Sequence, residues 1–411
     1  MTIRLGSRYR RLWSASALSN LADGIVKVAL PLVALQFTRS PAAIAGLSFA
    51  FTLPWLLFAL TAGALADRYD RRRLMLIANT VRATLVAALT VAALLGAGSL
   101  WLLYAVALCI GTAETVHDTS AQSILPQLVR GEALPRANGR LFAAELTANQ
   151  FVGPPLGGLL VAAGAVVAFG TPALLWAVAL VVLLGMRGRF AAERPWTTSI
   201  RAEIAEGLRF VWGSVILRVL AVMVGVFNFA SSAAFTVLVL YAVGPTSAMR
   251  LTGAGYGLLL TASAVGTVLG AFVAEPAEKL LGRPRALALT IVGNLFTVAT
   301  PAFTADPVLI GTAFFLGGIT ISIWNVITVS LRQRITPVRL LGRMNSAYRL
   351  VGWGTMPVGA AVGGLLAQSF GVRSVFLIMG VLVSALLAGM IWVTESRMRA
   401  AEAAATARSR A

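Results

Sequence analysis

The chain has 411 residues, 58% hydrophobic and only 12% charged, with a mean hydropathy of +0.84. A soluble domain carries about 25% charged residues, so this composition excludes a water-facing globule and makes the bilayer its solvent. The net charge of +19 comes from arginines clustered between apolar runs, a topological pattern rather than a nucleic-acid face, and the single cysteine, Cys109, excludes an intrachain disulfide or a cysteine-based metal site.

A helix needs about 20 apolar residues to cross the hydrocarbon core. Twelve segments qualify: 14–37, 43–66, 74–97, 101–125, 139–162, 165–186, 215–242, 253–275, 285–304, 307–330, 343–367 and 374–394. The basic N-terminus (Arg4, Arg8, Arg10, Arg11) leads into span one without a small-residue cleavage site and reads as uncleaved. Span one carries Asn20, Asp23 and Lys27, with the two charges four residues apart on one face. Between spans two and three lies Gly63-Ala-Leu-Ala-Asp67-Arg68-Tyr-Asp70-Arg71-Arg72-Arg73-Leu74. Span three holds Arg82, and span four holds Glu114, His117 and Asp118. Glu145 lies in the inner part of span five, followed by Gly153-Pro154-Pro155-Leu156-Gly157-Gly158. The segment 187–214 contains a short amphipathic helix at the inner membrane surface, capped by Ser199, with Ile204, Leu208 and Val211 opposite Arg201, Glu203, Glu206 and Arg209. The second half places Arg218, Asn228, Ser231, Ser232 and Tyr241 on span seven, Trp324 and Asn325 on span ten, and Tyr348, Arg349, Trp353 and Pro357 on span eleven.

With the N-terminus inside, the inner segments carry 27 Lys and Arg residues and the outer loops only Arg39, Arg250 and Arg373. That bias predicts cytoplasmic termini. The expected organisation is an N-terminal six-helix half over 1–186, a linker over 187–214, a C-terminal half over 215–396 and a disordered cytoplasmic tail over 397–411. The halves repeat. Gly63, Gly111, Asp118 and Arg136-Ala137-Asn138 match Gly270, Gly318, Asn325 and Arg343-Met344-Asn345 at an offset of 207, and Gly153, Gly157 and Gly158 match Gly359, Gly363 and Gly364 one residue shorter. Two six-span repeats around a central site is a common transporter plan.

The segment Gly63–Leu74 resembles the cytoplasmic loop signature of the major facilitator superfamily, and Gly153–Gly158 resembles the span-five motif of its antiporter branch. Ala66–Arg72, Gly111-Thr112-Ala113-Glu114 and Arg136–Arg140 are most similar to the branch holding the enterobactin exporter and macrolide efflux proteins. The resemblance covers nearly the whole chain. It implies an all-α membrane protein of twelve transmembrane helices in two six-helix pseudo-symmetric halves, the major facilitator fold. It also implies a cytoplasmic latch of Gly63, Asp67, Arg68, Arg71 and Arg72, with Asp67 near the start of span eleven. The second copy of this hinge, near Glu275 to Arg285, is degenerate. Asp70 stands where the superfamily commonly has Gly, and span four lacks the Arg of many proton-coupled members.

Intramembrane charges cost about 2.5–3.5 kcal/mol or more each and are functional candidates by default. A carboxylate can take a proton in a dry site and release it when water or a cation stabilises the charge. Asp23 and Asp118, then Glu114, are the expected proton-coupling groups, with Lys27, Arg82, His117, Glu145 and Arg349 completing a charge network. The alternative is a fixed set of ion pairs, Asp23 with Lys27 and Arg82 with Glu114 or Asp118. Asn20, Asn228, Ser232, Trp324, Asn325, Tyr348 and Trp353 are expected to line a largely apolar substrate cavity, in line with the few charges of the second half. The expected activity is proton-coupled export of a small amphiphilic compound such as a drug, antibiotic or siderophore, by a monomer in the inner membrane. The alternative is an importer or facilitator of the same fold. The expected partners are lipid, substrate and protons, with no nucleic acid, metal or cofactor. The sequence holds no nucleotide-binding Gly-x-x-x-x-Gly-Lys-Ser/Thr loop, and one His and one Cys do not make a catalytic set.

Overall fold

The computed structural model describes residues 6–129, 133–188, 190, 200–337 and 340–410. Ser199, the expected linker cap, lies outside them. The helices are α1 (Ser7–Ala34), α2 (Pro41–Arg68), α3 (Arg71–Leu94), α4 (Leu100–Leu128), α5 (Leu134–Glu145), α6 (Gly153–Ala162), α7 (Ala165–Leu184), α8 (Ile200–Gly213), α9 (Val215–Ala242), α10 (Gly253–Leu281), α11 (Arg283–Phe303), α12 (Pro307–Ile335), α13 (Leu341–Phe370), α14 (Val372–Gly389) and α15 (Glu395–Arg410). In lipid every backbone group must be satisfied within the segment, which only helices and closed barrels achieve. Eleven described helices are long and apolar enough to cross. The fifth crossing is composite: α5, a π-turn at Leu146–Val152, and α6.

The helix starts follow from sequence. Ser40 accepts from the Ala43 amide at 3.4 Å ahead of Pro41, Asp70 from Arg73 at 3.0 Å, Ser99 from Leu102 at 3.2 Å, and Asp306 from Val308 at 2.7 Å ahead of Pro307. Each satisfies an amide that has no partner within its helix. At Gly282 (φ 74°) and Gly371 (φ 84°) the chain turns from one crossing into the next in a conformation that disfavours a Cβ.

The chain divides into two compact units. The first comprises 1–195 and 242–261, the second 196–241 and 262–411. The break near residue 195 falls within the expected linker, but 242–261 groups with the first unit. In that unit α2 packs on α4, α3 on α7, and α1 on α6 and α7. The end of the unit at which α1 begins is closed by a cluster of Tyr9, Leu12, Met75, Ile124, Leu183 and Phe190. In the second unit α11 packs on α12 and α14, and α13 on α8 and α14. There α8 buries Val211, and its Glu206 pairs with Arg343 of α13.

The tail corrects an expectation. Residues 397–410 form most of α15 rather than a disordered segment. Its alanine-rich sequence favours helix. Arg283 pins the start, pairing with Glu395 at 2.6 Å and Glu402 at 2.7 Å, while Met398 is fully buried.

Candidate functional site

In the first unit, α1, α3, α4 and the π-turn of span five converge on a cluster of charges. Arg82 is fully buried and donates from one nitrogen to both oxygens of Asp23, at 3.0 Å each. The same guanidinium donates to Ser19 Oγ at 3.2 Å and to the Ala113 carbonyl at 3.4 Å, and it lies 5.7 Å from the Trp176 ring centroid. Ser19 in turn donates to Asn79 Oδ1 at 3.2 Å. A few ångströms away along α1, Lys27 Nζ pairs with Glu114 Oε1 at 3.3 Å, donates to Asn149 Oδ1 at 3.3 Å and lies 5.8 Å from the Phe51 ring. His117 Nδ1 is 3.2 Å from Asp118 Oδ1.

The pairing differs from the fixed set that the sequence offered as the alternative. Asp23 joins Arg82 rather than Lys27, and Lys27 takes Glu114. The spacing of Asp23 and Lys27 puts both on one helix face, but α3 and α4 lie on different sides of that face and divide them. Accessibility then separates two groups. Asp23 and Arg82 are sealed, with side chains 2% and 0% exposed, whereas Lys27 is 40% and Asp118 24% exposed. Glu114 is buried beside accessible Lys27, and its Oε2 has no hydrogen-bond partner among the described residues; nor has His117 Nε2.

The Gly153–Gly158 segment holds the site against α1. A Cβ at Gly153 would lie 2.7 Å from the Gly24 Cα, and one at Gly157 2.8 Å from the Ile25 carbonyl oxygen. Gly158 meets the backbone of Gly253 and Ala254, and Gly257 meets Pro154. The internal repeat recurs as contacts. Gly359 abuts the Phe229 carbonyl, and a Cβ at Gly363 would lie 2.6 Å from the Ala233 oxygen. Small residues permit such close helix approach in a membrane.

The hinge residues are engaged within the first unit. Asp70 caps α3 and also accepts from the Phe190 amide at 2.7 Å, while the Arg71 amide donates to the Phe190 carbonyl at 3.3 Å. Arg71 Nε donates to the Ala66 carbonyl at 2.9 Å, and Arg72 donates to the carbonyls of Leu183 and Leu184 at 3.0 and 2.9 Å. These arginines therefore cap the C-terminal ends of α2 and α7. Arg68 is exposed, and a Cβ at Gly63 would meet nothing within 4 Å among the described residues. The Asp67 side chain lies outside the described residues.

Several cavity candidates have other partners. Asn228 donates to the Gly352 carbonyl at 2.9 Å, Ser232 to Met356 at 2.7 Å and Tyr348 to Leu220 at 3.0 Å, tying α9 to α13. Asn20 donates to Ser16 one turn back at 2.9 Å. Trp324 is buried edge-on against Phe227, 5.0 Å between centroids. Asn325 is exposed, and Trp353 is exposed beneath the Arg349 guanidinium, 4.4 Å away. Glu145 ends α5, next to the π-turn. Sequence reasoning missed Ser19, Asn79 and Asn149; a polar residue inside an apolar span is their one signal.

A family model described as transmembrane secretion effector matches residues 6–411. The chain belongs to this family of major facilitator transporters. Among curated relatives, the multidrug efflux pump Tap of Mycolicibacterium fortuitum is 28% identical over 408 residues, covering 94% of this chain and 95% of the relative. The enterobactin exporter EntS of Salmonella typhimurium is 29% identical over 373 residues, covering 89% and 87%. The fold is shared with the nucleoside transporter NupG (TM-score 0.72, 15% identity, 95% of this chain and 100% of that one). A bacterial homologue of the iron transporter ferroportin is similar too (TM-score 0.73, 17% identity, 96% and 100%). The chain is thus a multi-pass membrane transporter, and its relatives' names are those of efflux proteins.

Proposed function

We propose that the protein exports a small amphiphilic compound (a drug, antibiotic or siderophore) in exchange for protons, working as a monomer by alternating access with both termini in the cytoplasm. The observation that carries the coupling is Glu114: a buried carboxylate in span four with one oxygen on Lys27 and the other without a hydrogen-bond partner among the described residues. Protonation at Oε2 neutralises Glu114 and releases its hold on Lys27; deprotonation restores the pair. Asp118, accessible and adjacent, is the second candidate. Asp23, sealed against Arg82, serves as the fixed counter-charge that keeps Arg82 in the membrane. The names of the efflux relatives support export, and the two chemistries they handle support an amphiphilic cargo.

The test begins with cells carrying or lacking the protein, challenged with ethidium, a macrolide and a catecholate siderophore. A compound tolerated better with the protein is then followed in inside-out vesicles. The expected result is uptake into those vesicles that collapses with a protonophore and falls about 100-fold or more in Glu114→Gln, the range of one lost acid–base group. Accumulation in intact cells driven by an inward gradient overturns export, and full pH-driven transport by Glu114→Gln overturns the coupling role.

A further inference from the structure

Span five cannot run as a regular helix through its middle. Pro154 and Pro155 lack N–H groups, so the carbonyls of Gln150 and Phe151 lose their ordinary helical donors. The backbone widens into the π-turn Leu146–Val152, and the Phe151 carbonyl accepts instead from Thr261 Oγ1 at 3.3 Å. Single π-turns inside helices are frequent at functional sites. Here the turn carries Asn149 onto α1, against a residue that must be glycine. A Cβ at Gly24 would lie 2.5 Å from the Asn149 carbonyl oxygen. Three residues further along α1 stands Lys27, within 3.3 Å of both Asn149 Oδ1 and Glu114 Oε1. The ammonium therefore bridges two partners, an ionic one on span four and a neutral one on span five.

Resting on the coupling reading of Glu114, we propose that Asn149 is a positioning residue for the coupling step: it holds Lys27 when Glu114 is protonated, so that proton uptake leaves the ammonium, until then shared with span four, to the π-turn of span five alone. The arriving proton goes to Glu114 Oε2, and Lys27 keeps its own protons and charge. Asn149 suits this because an amide oxygen binds an ammonium more weakly than a carboxylate does. Lys27 is shared with Glu114 while that group is ionised and is left to Asn149 only when the charge is removed. An aspartate at 149 would hold Lys27 permanently and break the exchange.

The other charged and titratable groups around Glu114 are Asp23 and Lys27 on α1, Arg82 on α3, and His117 and Asp118 on α4 itself. The flanking α2 and α7 face the cluster with the rings of Phe51 and Trp176. Asp23 is engaged by Arg82 and Asp118 by His117, which leaves Glu114 and Asn149 as the two groups in bonding distance of Lys27 among the described residues.

The experiment is hydrogen–deuterium exchange of the purified full chain in nanodiscs between about pH 5.5 and about pH 8.5, corrected for intrinsic exchange and read over 146–152. In the wild type, protection of this segment should change by about threefold or more across the range, since local opening reports the contacts that close it. Glu114→Gln should hold it at the low-pH level throughout. Asn149→Leu and Asn149→Asp should both flatten the pH profile. Where Asn149→Leu fails to fold, Lys27→Met, which removes both contacts, must flatten it instead. A flat wild-type profile overturns the inference, as does a wild-type profile in Asn149→Leu or Lys27→Met. If Asn149→Leu keeps the profile while Glu114→Gln loses it, Asn149 has no role and the coupling reading stands. A profile that still follows pH in Glu114→Gln removes the coupling reading itself.

Discussion

Arg82 illustrates how a charge survives inside the membrane. Its guanidinium meets Asp23, Ser19, the Ala113 carbonyl and the Trp176 ring, with no exposed surface. Removing one partner of a buried pair leaves an uncompensated charge and costs about 3–5 kcal/mol, whereas replacing both with apolar groups is often neutral. Arg82→Leu is therefore expected to lower the unfolding midpoint of the purified protein strongly, and Asp23→Leu added to it should recover most of the loss. Additive losses in the double variant would show that the two residues are not a pair. The identities in this cluster were legible from sequence, because Asp23, Lys27, Arg82 and Glu114 are conspicuous in apolar runs. Their pairing was not. Helical periodicity places two residues on one face but does not say which neighbouring helix each side of that face meets. Asn149 was illegible for a different reason: its position depends on a π-turn, which shifts every later side chain out of the expected register.

Helices meet most closely here where glycines face backbone, and those joints are specific to position. Gly24→Val inserts bulk where the Asn149 carbonyl already lies within 2.5 Å of a Cβ. Overpacking of this kind costs about 1–3 kcal/mol, and it should lower both the melting temperature and transport, while Gly139→Val, with nothing within 4 Å among the described residues, leaves the melting temperature unchanged. Equal effects at the two sites would refute the joint. The tail helix α15 is a second such element. Hydrogen bonds from Arg283 hold the Glu395 carboxyl below its ordinary value despite the opposing effect of burial, with Arg399 adding to the depression. A depressed carboxylate stabilises above its unfolded value, about 4.3, and loses that contribution as the pH falls through the depressed one. Docking of α15 should thus be constant from neutral pH down to about pH 4 and loosen only in stronger acid, as read by hydrogen exchange of its amides. At neutral pH, Arg283→Gln should speed tryptic cleavage after Arg397 and Arg399; an unchanged rate would mean that the buried Met398 and Val393 hold the helix alone. The partner that docks this helix, Arg283, lies far away in sequence, which explains why the segment read as disordered despite its alanine content.

Across the whole chain, the crossings and the repeat follow from hydropathy and glycine spacing, because bilayer thickness and backbone hydrogen bonding leave so few alternatives. The exchange of 242–261 into the first unit does not follow, since it depends on packing against Pro154 and Gly158 rather than on any local pattern. Charge is divided unequally between the two units. The first holds the charge network of Asp23, Lys27, Arg82, Glu114, His117 and Asp118, while the described core of the second is built from aliphatic and aromatic residues such as Phe314, Ile291 and Phe376. A proton site and a cargo site need opposite environments, one with paired ionisable groups and the other with apolar and aromatic surface, so separate residence is a workable solution. The expectation is that substitutions in the two units affect different observables. Asn325→Leu and Trp353→Leu should alter which compounds are carried, shifting the apparent affinity for an aromatic cargo by up to about tenfold, the worth of one aromatic contact. The pH midpoint of transport should stay where it is. Glu114→Gln should remove the pH dependence for every compound alike without changing their rank order of affinity. Vesicle transport of two chemically different compounds across a pH series, in all three variants, separates these outcomes. A midpoint displaced by Trp353→Leu, or a rank order inverted by Glu114→Gln, would place proton and cargo in one shared site and remove the division of labour.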